Sequence, residues 1–218
     1  MFARAISASL ALSALVALGT AAQLGYVSSE EEKPYVVGME VDKPIELVDI
    51  DGKTHKLGDL RGKPVVIDFW SCRCPYSVAW EQSLIDLHAK YKEQGVTFLA
   101  IDSNHTEVMP DTEDPYHVIR EYVKKAKVTY PILIDEGNVI ADRFAAKTTP
   151  HIFLIDGKGV VRYTGAIDND SNPKKPLPEG EVEPWLDDAI AAVLAGKEVP
   201  KAETKAIGCT IKRLPTKP

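Results

Sequence analysis

Apolar residues along this chain fall into short β-branched runs separated by stretches of helical period. Val65, Val66 and Ile67, preceded by Pro64 and followed by Asp68, Phe69 and Trp70, read as a strand buried on both faces of a sheet. Trp80, Leu84, Leu87 and Tyr91 then recur at helical spacing. Residues 96–102 and 131–135 read as two more buried strands, separated by a helix with Val118, Ile119, Tyr122, Val123 and Ala126 on one face. Residues 138–145 predict a short helix that turns Val139, Ile140 and Phe144 inward. A strand at 152–155 follows, then a tight turn at 156–159 and an antiparallel return at 160–165. Upstream, Ile45, Leu47 and Ile50 with the Asp51-Gly52 turn signal predict a hairpin over 44–57. Residues 181–195 predict an amphipathic helix, with Val182, Trp185, Leu186, Ile190, Val193 and Leu194 as its stripe, Pro184 in its first turn and Gly196 at its end. Strands alternating with helices in this way give an α/β fold with a mixed central sheet.

The flanks carry different patterns. Residues 1–22 have Arg4, an apolar run from Ile6 to Leu18 and the small residues Gly19, Thr20, Ala21 and Ala22, the layout of a secretory signal peptide. The run is short of the about 20 residues that a membrane span needs, so membrane contact is expected only if this segment stays uncleaved. Residues 23–42, with Ser28-Ser29-Glu30-Glu31-Glu32, read as a linker. The domain is then expected over 43–195, with a polar tail at 196–218 that contains Cys209.

Composition narrows the function. A formal charge of −6 argues against a nucleic-acid partner. The leader implies a periplasmic or secreted location, where disulfides persist, and there the odd count of 3 cysteines leaves one thiol free or an intermolecular bond.

Two of those cysteines, Cys72 and Cys74, stand at the turn from the central strand into a helix whose first residue is Pro75. A helix N-terminus carries roughly half a positive charge and favours a thiolate, and Arg73 adds a cation beside it. Cys74 therefore has the surroundings of a nucleophile, a sulfur expected to be held as an anion at the mouth of the helix and open to solvent.

At these residues the chain resembles the thioredoxin superfamily, and within it the redoxin branch of alkyl hydroperoxide reductase and extracytoplasmic thiol–disulfide proteins. Ile67-Asp68-Phe69-Trp70 leads to Cys74-Pro75-Tyr76-Ser77 where that family has its strand and Cys-x-x-Cys. The resemblance implies a thioredoxin-like three-layer sandwich, with Cys74 as the attacking cysteine and Ser77 in place of the resolving one. It implies that Pro150, in Thr148-Thr149-Pro150-His151, is cis and faces Cys74. It also implies that Thr149 is free to pair with an extended substrate, and that Asp68 is the buried acid that shuttles a proton. Trp70, Tyr76, Ser77, Thr149 and Pro150 are the expected substrate contacts. The segment 204–212 resembles a C-terminal segment of one redoxin subgroup.

Thiol–disulfide exchange needs an attacking thiolate and a second thiol, and no cofactor. Ser77 cannot resolve. Cys72 is in tight geometry, because two extended residues span about 7 Å against the roughly 4.4–6.8 Å Cα separation of a disulfide. Cys209 resolves if the tail folds back, and both cysteines stay open as candidates. The expected partners are protein thiols or disulfides, or a reducing partner. Three alternatives stand beside this reading. One is a thiol peroxidase, with Ser71 where peroxiredoxins have threonine. Another is a Cu(I) module built on Cys72 and Cys74 with Cys209, His105 or His151. The last is a domain whose redox loop is vestigial.

Overall fold

The computed structural model describes residues 33–170, 172 and 174–214. The segment read as a signal peptide lies outside the described residues. Seven strands form one sheet in the order β2-β1-β5-β4-β3-β7-β8. They are β1 (Glu46–Asp49), β2 (Thr54–Lys56), β3 (Val65–Trp70), β4 (Thr97–Asp102), β5 (Ile132–Ile134), β7 (His151–Ile155) and β8 (Val161–Gly165). A second, two-stranded sheet joins β6 (Thr148–Thr149) to β9 (Cys209–Thr210). β3 is central: it runs parallel to β4 and antiparallel to β7, and all 6 of its residues are buried. That burial on both faces is why it reads as a continuous apolar run rather than an alternating one.

The two faces of β3 feed two cores. Val66 and Trp70 join the helices α1 (Pro75–Tyr91), α2 (His117–Ala126) and α4 (Trp185–Leu194). Val65, Ile67 and Phe69 join α3 (Val139–Arg143), Tyr35, Val41 and Ile211. This is the three-layer sandwich that the resemblance implies, with its mixed sheet and N-terminal hairpin. Among the described residues no helix is long and apolar enough to cross a membrane.

Several boundaries differ from the expectation, each for a local reason. α3 starts at Val139, because Asn138 takes a left-handed conformation (φ 63°) and caps it, and Val139 is exposed rather than inward. α4 starts at Trp185, because Pro184 holds the N-cap and residues Glu179–Glu181 form a separate 3₁₀ turn. Val160 pairs with Glu40 outside β8. Tyr35 and Val41, inside the segment read as linker, are buried in the second core. The tail is no loose appendage either. Ile211 is 3 % exposed, and Thr204 docks on the β8 edge through Thr204 N–H to Thr164 C=O (3.0 Å) and Thr164 N–H to Ala202 C=O (3.0 Å).

Candidate active site

The site is built where β3 hands over to α1. Cys74 is the N-cap of α1 with an extended backbone (φ −83°, ψ 118°), and Pro75 occupies the first turn as expected. The capping position leaves the first N–H groups of the helix without helical partners, and the Ser77 N–H turns to the Cys74 sulfur. Opposite lies the cis peptide Thr149-Pro150. The Cys74 thiol donates to the Thr149 carbonyl at 2.8 Å.

The tail completes this site. In the β6–β9 pair Thr149 lies opposite Cys209, and Thr148 opposite Thr210. Gly208 lies against the Thr149-Pro150 peptide so closely that a Cβ there would overlap the Thr149 oxygen and stand 2.6 Å from its carbonyl carbon. Beyond β9 the strap is held by Ile211 N–H to Lys147 C=O (3.0 Å), Lys212 N–H to Asn104 Oδ1 (2.9 Å) and His105 N–H to Lys212 C=O (3.0 Å). Arg213 closes it on Asp142 and on the Ala146 carbonyl, each at 2.9 Å.

These contacts divide the two sulfurs chemically. Burial alone would raise the Cys74 pKa. Contacts with Cys209, Thr149 and the Ser77 N–H outweigh it, and the net shift is downward. Burial and the neighbouring Cys74 sulfur push Cys209 the other way, to about 11. Cys74 is thus the more acidic of the two sulfurs. All three cysteines are free thiols.

Cys72 occupies a separate environment. Its N–H and its thiol both donate to Glu107 Oε2, each at 2.9 Å, and the Ser71 hydroxyl donates to the other oxygen of that carboxylate. Burial, then Glu107 and Asp102, raise the Cys72 pKa far above the ordinary thiol value. Glu107 is itself 2 % exposed. Nothing in the apolar pattern marks it, because it stands in a polar loop. Glu81 escaped notice too, although it falls on the buried stripe of α1 beside Trp80 and Leu84. It accepts from Trp70 Nε1 at 2.8 Å and also from the Tyr130 hydroxyl. Asp68 lies in the same buried layer. Burial first, then Glu81 and Cys74, raise its pKa well above the carboxylate range, and neither oxygen has a close partner.

Several placements correct the sequence reading. The Thr149 edge is not free, since β9 fills it. Cys74 is 2 % exposed, not open to solvent. Trp70 is fully buried, so it supports the site from beneath instead of lining it. The Arg73 guanidinium donates to the Thr106 carbonyl at 3.1 Å and its charge acts on Cys72. Tyr76 stacks parallel to Trp80 and its N–H faces the Cys209 sulfur. The Ser77 hydroxyl is buried without a partner. His105 Nδ1 binds the Lys212 carbonyl at 2.7 Å, and His151 Nε2 meets Thr164 Oγ1 at 3.2 Å. The sulfurs of Cys72 and Cys74 face different partners. Among the described residues no group of three or more metal-ligating side chains converges.

With the geometry in place, residues 39–164 match the model of the AhpC/TSA family. The chain belongs to the AhpC/TSA family. Among curated relatives of this AhpC/TSA chain is the thiol-disulfide oxidoreductase ResA of Bacillus cereus, 30% identical over 145 residues, which are 66% of this chain and 77% of the relative. A solved structure of an uncharacterized conserved protein from Geobacillus kaustophilus superposes with a TM-score of 0.73 at 29% identity, covering 84% of this chain and 95% of that one. A hypothetical protein from Sinorhizobium meliloti 1021 gives 0.71 at 27% identity, covering 84% and 98%. The AhpC/TSA chain is therefore a thioredoxin-like oxidoreductase of the redoxin branch.

Proposed function

We propose that this chain is an extracytoplasmic thiol–disulfide oxidoreductase in which Cys74 attacks and Cys209 resolves. The observation that carries the reading is the pairing of Thr149 with Cys209, which seats Cys209 on the residue whose carbonyl accepts from the Cys74 thiol at 2.8 Å. Exchange proceeds through a mixed disulfide, so the second thiol must have a seat beside the first. Cys209 meets that requirement. Cys72 does not, because its thiol is bound to Glu107 and held protonated. Protein thiols and disulfides are the substrates this reading assigns, with a thiol reductant or oxidant closing the cycle. The leader pattern of residues 1–22 supports the location outside the cytoplasm.

The peroxidase alternative is less well served. The Ser71 hydroxyl and the Arg73 guanidinium, which would have to stabilise an attacked peroxide, are engaged by Glu107 and the Thr106 carbonyl. The deciding experiment incubates purified protein with an oxidised protein substrate and a dithiol reductant. Catalysed disulfide reduction that disappears in Cys74→Ser supports the proposal. Peroxide consumption without disulfide reduction would replace it.

A further inference from the structure

The edge where a partner polypeptide would add as a strand is occupied by the chain's own tail. β9 pairs there in register, with Cys209 opposite Thr149, and under it Cys74 is 2 % exposed. Gly208 is required by this seating, because a Cβ would overlap the Thr149 carbonyl oxygen. The tail thus seats a glycine against the Thr149-Pro150 peptide and an extended cysteine directly after it, as an incoming disulfide-bearing segment would have to.

Resting on the reading of Cys74 as attacker and Cys209 as resolver, we propose that the tail and the partner take turns on one edge. The partner is an extended polypeptide segment with glycine directly before its disulfide-bonded cysteine, and that cysteine takes the place of Cys209 opposite Thr149. Main-chain pairing supplies the attraction, as in other strand-addition complexes. The tail leaves as a local opening, which costs less than global unfolding. The Cys74 thiolate then attacks the partner sulfur. A Cys74–partner disulfide forms, the partner's own disulfide breaks, and its second cysteine leaves as a thiolate that takes up a proton. When the tail returns it displaces the partner strand and brings Cys209 to the Cys74 sulfur. Cys209 gives up its proton and attacks; the Cys74–Cys209 bond forms and the partner leaves as a dithiol. Two electrons and two protons have passed to the partner, and an external dithiol reductant restores the pair. Strand return and resolution are one event, so the partner is released in the step that reduces it.

The test uses full-length protein, an oxidised synthetic peptide containing Gly-Cys-Thr-Ile, its Ala-Cys counterpart and a small symmetric disulfide. Mass spectrometry follows the Cys74 mixed disulfide, and iodoacetamide follows access to Cys74. Gly208→Ala and Ile211→Ala are expected to raise Cys74 alkylation and lengthen the mixed-disulfide lifetime by about tenfold or more, with Cys209 intact. Cys209→Ser should lengthen that lifetime while leaving alkylation within about twofold of wild type, since the strap stays anchored on both sides. The Ala-Cys peptide should react about tenfold more slowly than the Gly-Cys peptide, while the small disulfide shows no dependence on the tail variants beyond access. If both tail variants leave alkylation and lifetime unchanged, or the two peptides react alike, strand exchange is wrong. Should Gly208→Ala fail to fold, Ile211→Ala carries the same comparison. If neither the peptides nor the small disulfide gives a mixed disulfide even in Cys209→Ser, the underlying assignment of Cys74 falls instead.

Discussion

Thr149 serves both redox sulfurs at once: its carbonyl accepts from the Cys74 thiol at 2.8 Å, and its backbone pairs with Cys209 in the two-stranded sheet. One residue of the main chain therefore sets the relative placement of the two cysteines.

The roles of the three cysteines separate by single substitution. Cys74→Ser should reduce disulfide-exchange activity to background. Cys209→Ser should accumulate a mixed disulfide at Cys74, visible as a mass adduct after acid quenching. Cys72→Ser should keep turnover within about threefold of wild type, because its thiol is bound to Glu107 and takes no part in exchange. A trapped adduct in Cys72→Ser instead would reverse the assignment of resolver.

The two partner sulfurs should titrate apart. Ultraviolet thiolate absorbance should show a step below the ordinary cysteine range that vanishes in Cys74→Ser, and a step near about 11 that vanishes in Cys209→Ser. A depressed folded-state pKa means that the Cys74 thiolate stabilises the fold above its unfolded-state pKa. That contribution is lost as pH falls through the folded value.

Glu107→Gln removes the charge that holds Cys72 as a thiol. The Cys72 pKa should fall toward the ordinary value, and mass-mapped alkylation in mild denaturant should label Cys72 more readily at the same pH. Because the Cys72 N–H, its thiol and the Ser71 hydroxyl all converge on this carboxylate, a stability loss of about 1–3 kcal/mol should accompany the change. Denaturant melts check that second outcome.

Asp68 should cost the protein stability at neutral pH. Its carboxyl keeps its proton when folded and loses it when unfolded, so stability falls as pH rises from the unfolded pKa to the raised folded one. Asp68→Asn abolishes that slope. Its advantage over wild type in urea denaturation should grow by about 1.4 kcal/mol per pH unit across the window and shrink to nothing in acid.

Gly165→Ala should destabilise the docked tail. Gly165 has φ 146°, and a Cβ there would lie 2.9 Å from the Thr204 carbonyl carbon and overlap the Thr204 hydroxyl. Proteolysis between α4 and β9 should quicken in this variant by about tenfold, readable on a gel.

The large elements were legible because each announces itself by period. β3 shows as Val65-Val66-Ile67, α1 as the stripe Trp80, Leu84 and Tyr91, and the hairpin as Asp51-Gly52. What escaped depends on contacts distant in sequence. Glu107 meets Cys72 across 35 residues, and no local pattern encodes a buried loop carboxylate. The docking of the tail is similar: Cys209 stands in a polar stretch, and its pairing with Thr149 rests on a glycine that fits and on one apolar residue, Ile211, that finds the core. The burial of Cys74 is illegible for the same reason, since the strand that covers it lies at the far end of the chain.

A sulfur roofed in this way is chemically quiet until something invites it out. Wherever stray oxidants and other proteins' thiols are abundant, an ionisable cysteine left bare would be capped or scrambled. Under the proposed pairing, a strand that sheathes this sulfur and also carries Cys209 would turn an accidental oxidation into a Cys74–Cys209 disulfide that a dithiol can reopen.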